Sequence, residues 1–213
     1  MVERHIIVKI VKGEIMKLVI GITGGIASGK SNVCSVIKDL GYPVIDCDLI
    51  TKELSLKSKP LYNVIVDRFG KEYLLDNLEL DKRKIAKLVF SNQSAKLLLD
   101  SITHPIIKDE VLRQLSLYND GLVFVEIPLL YEAKFDSICD KVICVFLSKK
   151  KQVERLIERE GIDEDYALMK IHSQMDLYMK KSLADYVVDS KGSFEETKEQ
   201  VIDIINKLKE CIL

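Results

Sequence analysis

Residues 17–40 read KLVIGITGGIASGKSNVCSVIKDL, and the fold follows from this stretch. Lys17 to Thr23 is a short β-rich run, Gly24 to Ser31 spells a complete G-x4-G-K-[ST] sequence, and Lys30 to Leu40 carries a helical pattern that Gly41 is placed to stop. Strand, glycine loop and helix in that order are the context a phosphate-binding loop requires. Glycines let the backbone wrap closely round a phosphate with successive N–H groups turned inward, and the helix that follows adds its positive N-terminal end. Lys30 is then placed for β- and γ-phosphates and the Ser31 hydroxyl for Mg²⁺. Gly25, Ile26, Ala27, Ser28, Gly29, Lys30, Ser31 and Asn32 are the expected nucleotide contacts. No G-x-G-x-x-G occurs there, which excludes a dinucleotide loop.

Working outward, further strand patterns lie at 43–46, 122–126, 142–147 and 186–188. They lack period-two alternation, as parallel strands covered on both faces by helices do. The predicted class is therefore α/β: a three-layer phosphate-loop NTPase fold with a parallel central sheet. Between Lys52 and Tyr118 only helical patterns appear, at 60–69, 81–90, 94–102 and 106–118, as in an acceptor-binding insertion. From 149 to 181 the chain is helical and highly charged, as in a lid. Ser193-x-x-Glu196 opens the last helix with a capping box, and Phe194, Val201, Ile204, Ile205 and Leu208 form its core stripe. The expected organisation is one domain over 16–213, with a core at 16–50, 119–148 and 183–213, an acceptor subdomain at 51–118 and a lid at 149–182. Residues 1–15 fit neither a secretory signal nor the motif, so translation is expected to begin naturally at Met16.

Composition narrows the function. The 213 residues are 47% apolar, which rules out wholesale disorder, and the net charge of −1 argues against a global nucleic-acid or anionic-membrane footprint. Five scattered cysteines without a CxxC pair read as reduced, buried thiols of a cytoplasmic protein, and three dispersed histidines make a zinc site improbable. No apolar run is long enough to span a bilayer. Guanine-nucleotide switches carry an N-K-x-D sequence that is absent here, so a small kinase fits the length and layout better.

A second constellation, Asp46-Cys47-Asp48, ends the second strand, where ligands of open α/β sheets bind. A carboxylate there can take a proton from an attacking hydroxyl. On an extended chain the two acids project to opposite sides, so one faces an acceptor; both can equally cap the next helix. Glu126 ends an apolar strand, suited to assisting Mg²⁺ or to capping the turn at Pro128. Arg155 and Arg159 share a helix face at i, i+4 spacing, either over a triphosphate or paired with Glu154, Glu158 and Glu160. Lys180 and Lys181 form a basic pair, a candidate phosphate contact but more commonly a surface feature.

Together these segments resemble the dephospho-coenzyme A kinase family. The resemblance runs from Leu18 to Leu213 and rests on the loop Gly21–Ser31, Asp46 and Asp48, Leu80-Asp81-Lys-Arg83 with Val89-Phe90, and Ile102-Thr-His104-Pro105. It continues through Glu126-Ile-Pro128-Leu129-Leu130-Tyr-Glu132, Gln152-x-x-Arg155-x-x-x-Arg159, Gln174 and Ala184-Asp185-Tyr-Val-Val-Asp189. The resemblance implies ATP with Mg²⁺, dephospho-coenzyme A as acceptor, a monomer or weak oligomer, and no nucleic-acid or membrane partner. It implies catalytic roles for Lys30, Asp48 as base and Arg159; substrate contacts at Thr23, Asp48, His104, Pro128 and Leu129; a phosphate contact at Arg155; and metal ligation by Ser31 and Glu126. Cys47 and Asn32 depart from the family's usual alanine and threonine. A nucleotide monophosphate kinase or a nucleotide-binding regulatory module remain the alternatives.

Overall fold

The computed structural model describes residues 17–211, so the expected start at Met16 and the segment 1–15 lie outside the described residues. Five strands form one sheet: β1 (Lys17–Gly24), β2 (Val44–Asp46), β3 (Gly121–Glu126), β4 (Lys141–Phe146) and β5 (Tyr186–Asp189), in the order β2-β3-β1-β4-β5. The β1–β3, β1–β4 and β4–β5 pairs are parallel, as the unbroken apolar runs require. The connection leaving β1 runs toward β2 and that leaving β4 toward β5, to opposite sides of the sheet. The carboxyl ends of β1 and β4 therefore flank a topological switch point, where α/β sheets bind ligands.

Helices cover both faces. On one, α1 (Lys30–Asp39) and α9 (Phe194–Glu210) press Val33, Val36, Ile37, Val201, Ile204, Ile205 and Leu208 onto Ile20, Ile22, Phe124, Ile143 and Val145. On the other, Leu177 packs on Cys144 and Phe146. Gly41 ends α1 at φ +86°, its N–H reaching the Lys38 carbonyl at 2.9 Å. The capping box of α9 is formed as expected, with both Ser193 and Glu196 bonds present. Phe194 does not join its core stripe: as the first helical residue it is 45% exposed.

The chain divides into two compact units, Asp46–Leu117 and the remainder. The helical unit thus begins five residues before the expected 51, because Asp46 already caps α2 (Cys47–Leu54). The expected lid is three helices, α6 (Lys149–Glu160), α7 (Glu164–His172) and α8 (Leu177–Leu183), interrupted at Gly161 (φ +66°) and at 173–176, and belonging to the sheet unit.

Within the helical unit follow α3 (Pro60–Phe69), α4 (Lys82–Ser91) and α5 (Gln93–Leu115). The last corrects the expected break at His104-Pro105: one helix runs through Pro105. Proline removes one i→i−4 bond, but Pro105 is exposed, so the Ser101 carbonyl it leaves is open to water. Burial of Ile107, Val111 and Leu115 anchors the half that follows.

Candidate functional site

The phosphate loop is built by packing as much as by its own sequence. Gly24 faces Val145 across the β1–β4 pair, and a Cβ there would stand 2.5 Å from the Val145 carbonyl oxygen and 2.7 Å from Ser28 Oγ. A Cβ on Gly25 would stand 2.4 Å from Gln152 Oε1. Gly29 takes φ +89° and Ala27 takes φ +56°, so the backbone turns through the left-handed region twice within three residues. Ile26 and Ala27 are held against Val153, Leu156 and Ala167 of α6 and α7. Ser28 is fully buried, its carbonyl accepting from the Ser190 hydroxyl at 2.6 Å. Lys30 and Ser31 open α1, with Asn32 beside them on the exposed side, and Lys30 Nζ donates to the Gly25 carbonyl at 2.9 Å. That ammonium folds back over the loop, which places it against any anion in the cradle.

Burial pushes the Cys144 thiol up to about 11, against the pull of the Lys180, Lys30 and Lys181 ammonium groups, all three of which act on this one side chain. Cys144 is the register partner of Thr23, so the cations gather where β1 and β4 end.

The two arginines of α6 are set apart. Arg155 donates to the Ser190 carbonyl at 2.8 Å, and its other terminal nitrogen would lie 3.6 Å from a Cβ on Gly29, so its guanidinium stands at the loop. Arg159, 58% exposed at its side chain, donates to Glu160 at 2.7 Å. The pair with Glu160 is one of the two arrangements that the i, i+4 spacing left open, whereas the bond from Arg155 to Ser190 is not legible in it. A pocket of ≈ 210 Å³ opens beside Gly25, with Lys149, Gln152, His172, Gln174 and Tyr178 in its wall. Gln152 donates from Nε2 to the Leu147 carbonyl at 2.9 Å, while Gln152 Oε1 and Gln174 Oε1 are buried with no protein partner.

Beyond β3 the chain stays beside β1, the Ile127 amide donating to the Ile22 carbonyl at 2.8 Å. Glu126, half-buried, is the register partner of Ile22, next to Thr23, which puts a carboxylate beside the loop strand. The Pro128 carbonyl accepts from Thr23 Oγ1 at 3.2 Å and from Lys180 Nζ at 2.7 Å, and Leu129 is 37% exposed. Lys180 corrects the surface reading: it is wholly buried and paired with Glu132 Oε1 at 2.8 Å, while its neighbour Lys181 lies over the Phe146 ring at 4.4 Å. Consecutive helical residues point about 100° apart, so one lysine enters and the other does not.

The helical unit holds the remaining candidates. Asp46 ends β2 and accepts from the amides of Asp48 (2.9 Å) and Leu49 (3.0 Å). The extended Asp46-Cys47-Asp48 geometry is therefore corrected: the chain turns into α2 at Cys47, which is buried, with Asp48 exposed in the first turn. Asp46 does the capping and leaves Asp48 to the surface. His104 lies in mid-α5, 3.6 Å from Asp100. Among the described residues no group of three or more His, Cys, Asp or Glu could hold a metal ion, and no helix is long and apolar enough to cross a membrane.

Comparison with known proteins gives the family. The model of a family described as dephospho-CoA kinase matches residues 18–196. The dephospho-CoA kinase of Carboxydothermus hydrogenoformans is 40% identical over 194 residues, 90% of this chain and 94% of that protein. The Bacillus anthracis enzyme of the same name is 43% identical over 195 residues, covering 90% and 98%. Among solved structures, a Thermus thermophilus protein superposes with a TM-score of 0.80 at 29% identity (91% of this chain, 98% of that one), and the dephospho-CoA kinase of Campylobacter jejuni with 0.67 at 26% (92% and 98%). A Bacteroides thetaiotaomicron shikimate kinase, at a TM-score of 0.51 and 13% identity over 90% and 98% of the two chains, shares the fold alone. A phosphate loop between β1 and α1, and a family match that spans both units, make this chain a member of the dephospho-coenzyme A kinase family.

Proposed function

We propose that the chain transfers the γ-phosphoryl group of ATP to the ribose 3′-hydroxyl of dephospho-coenzyme A, giving coenzyme A and ADP in the cytoplasm. The observation that carries this reading is the loop from Gly24 to Ser31, wrapped between β1 and α1 with Lys30 folded over it, in a chain of this family. In this reading the loop amides and Lys30 hold the polyphosphate. The Ser31 hydroxyl and the Glu126 carboxylate are the hard oxygen donors that suit Mg²⁺, an ion commonly bound by one or two protein groups together with substrate phosphates and water. When bound, Mg²⁺ neutralises charge on the β- and γ-phosphates.

Asp48, exposed in the first turn of α2, accepts the proton of the attacking hydroxyl. Arg155 meets the phosphates from its anchorage at Ser190, and Arg159 joins on exchanging Glu160 for a phosphoryl oxygen. Thr23, Pro128, Leu129 and His104 contribute to the acceptor site. Acceptor choice is read by ADP release with Mg²⁺-ATP: turnover with dephospho-coenzyme A and none with nucleoside monophosphates is expected. Preference for a nucleoside monophosphate would overturn the substrate assignment, and no acceptor-dependent turnover at all would point to a nucleotide-binding regulator.

A further inference from the structure

Lys180 is wholly buried in α8, and its ammonium makes two bonds that the phosphate-loop reading does not use. One goes to the Pro128 carbonyl (2.7 Å), the other to Glu132 Oε1 (2.8 Å). The same Pro128 oxygen accepts from the hydroxyl of Thr23, also wholly buried, one residue before the loop. Glu132 Oε1 in turn accepts from the Met175 amide at 2.9 Å, in the connection between α7 and α8. One chain of bonds thus joins the end of β1, the segment after β3 and the connection between α7 and α8.

Stability alone does not account for it. A buried ion pair returns little more than it costs in desolvation, and well-packed apolar side chains of similar size commonly do as well or better. Glu132 Oε2 is moreover buried without a protein partner, a cost a purely structural brace would avoid. What the pair does uniquely is fix a carbonyl at the carboxyl ends of β1 and β3, where the ligands of such sheets sit.

Resting on the kinase reading above, we infer that Lys180, paired with Glu132, is a positioning residue for phosphoryl transfer. It pins the Pro128 carbonyl, and through it Thr23, so that the segment following β3 is rigid when the acceptor arrives. The pair touches no reacting atom itself. Its effect is on alignment, and misplacement by about 1 Å costs on the order of a hundredfold in rate.

The test is the double variant Lys180→Met with Glu132→Gln. It removes both charges together, leaves no buried ion unpaired, and keeps an oxygen for the Met175 amide. Steady-state kinetics at a temperature well below its melting point should show kcat/KM for dephospho-coenzyme A reduced at least about tenfold, with the ATP KM within about twofold of the parent. A folded double variant with parental kcat/KM, or one whose ATP and acceptor constants decline together, overturns the inference and leaves a structural brace. If the double variant does not fold, Glu132→Gln alone decides. It keeps an oxygen for the Met175 amide and removes the charge that holds the Lys180 ammonium on Pro128, so the same split is expected, and parental kinetics overturn the inference. The unmodified enzyme in the same assay separates this question from the substrate assignment, which fails only if that enzyme ignores dephospho-coenzyme A.

Discussion

Replacing Gly24 with alanine probes the loop most sharply, because its cost is steric and not conformational. Gly24 does not have the positive φ that disfavours a side chain, yet a Cβ would meet the Val145 carbonyl oxygen at 2.5 Å and Ser28 Oγ at 2.7 Å, where real Cβ contacts stay beyond 3.0 Å. The Val145 carbonyl cannot retreat, because β4 is hydrogen-bonded on both edges to β1 and β5, and the Ser28 hydroxyl can turn aside only within a fully buried pocket. One extra carbon forced into such a site costs about 3 kcal/mol, the upper end of the usual range for overpacking. For a chain of this size that lowers Tm by about 6–12 °C. The strain falls on the loop, so ATP binding should weaken as well.

Gly29→Ala is the control. Its Cβ would meet Arg155 and Ser190 at 3.6 Å, an ordinary van der Waals distance, but must hold φ +89°, a left-handed conformation costing about 1–2 kcal/mol. Thermal melts with and without Mg²⁺-ATP should therefore rank Gly24→Ala below Gly29→Ala, with ligand-induced stabilisation nearly lost in the former. A Gly24→Ala protein that melts within a degree or so of the parent and is still stabilised by ATP would refute the claim that the β1–β4 contact shapes the loop.

Other outcomes are specific to single groups. Asp46→Ala removes the α2 cap and should cost about 1 kcal/mol, read as a small fall in Tm. Asp48→Asn should leave ATP binding unchanged and lower Tm only slightly, through the loss of an acid in the first turn of α2, yet lower kcat by about a hundredfold or more. Glu110 is held down from 4.5 to about 2, chiefly by its hydrogen bond from Arg113 and then by one from Gln114. A carboxyl lowered on folding stabilises the native state above its unfolded value, so that contribution is complete above pH 4.5 and is lost as pH falls toward 2. Acid melts of Glu110→Gln should accordingly be shallower than the parent's over that interval. Cys144, raised from 9.0 to about 11 by burial, favours the native state below pH 9.0 and loses that advantage as pH rises toward 11. A thiol reagent at pH 8 should therefore leave Cys144 unmodified until the protein unfolds.

The features legible in the sequence are those whose cause is local. The loop from Gly24 to Ser31 carries its own strand, glycines and helix, and the parallel sheet follows from apolar runs that do not alternate. What escaped reading depends on partners far along the chain. Nothing near Lys180 shows that its ammonium meets Pro128, 52 residues away, and nothing near Arg155 shows that the Ser190 carbonyl claims it. Ser190 gave no signal at all, whereas Glu132, Gln152 and Gln174 lay within recognisable motifs without a stated role. Pro105 is a poor guide because its local cost, about 3 kcal/mol in a helix interior, is offset by the burial of Ile107, Val111 and Leu115 further along α5. The turn at Cys47 is not legible in the sequence because a strand three residues long gives no warning that its last residue caps a helix.

The central claim is most directly tested by the position of the phosphate in the product. Phosphorus NMR of a reaction containing the enzyme, Mg²⁺-ATP and dephospho-coenzyme A should show ADP and a new phosphomonoester coupled to the ribose 3′ proton, in equal amounts. ADP accumulating with inorganic phosphate alone, or a phosphoryl group on any other acceptor atom, would contradict it.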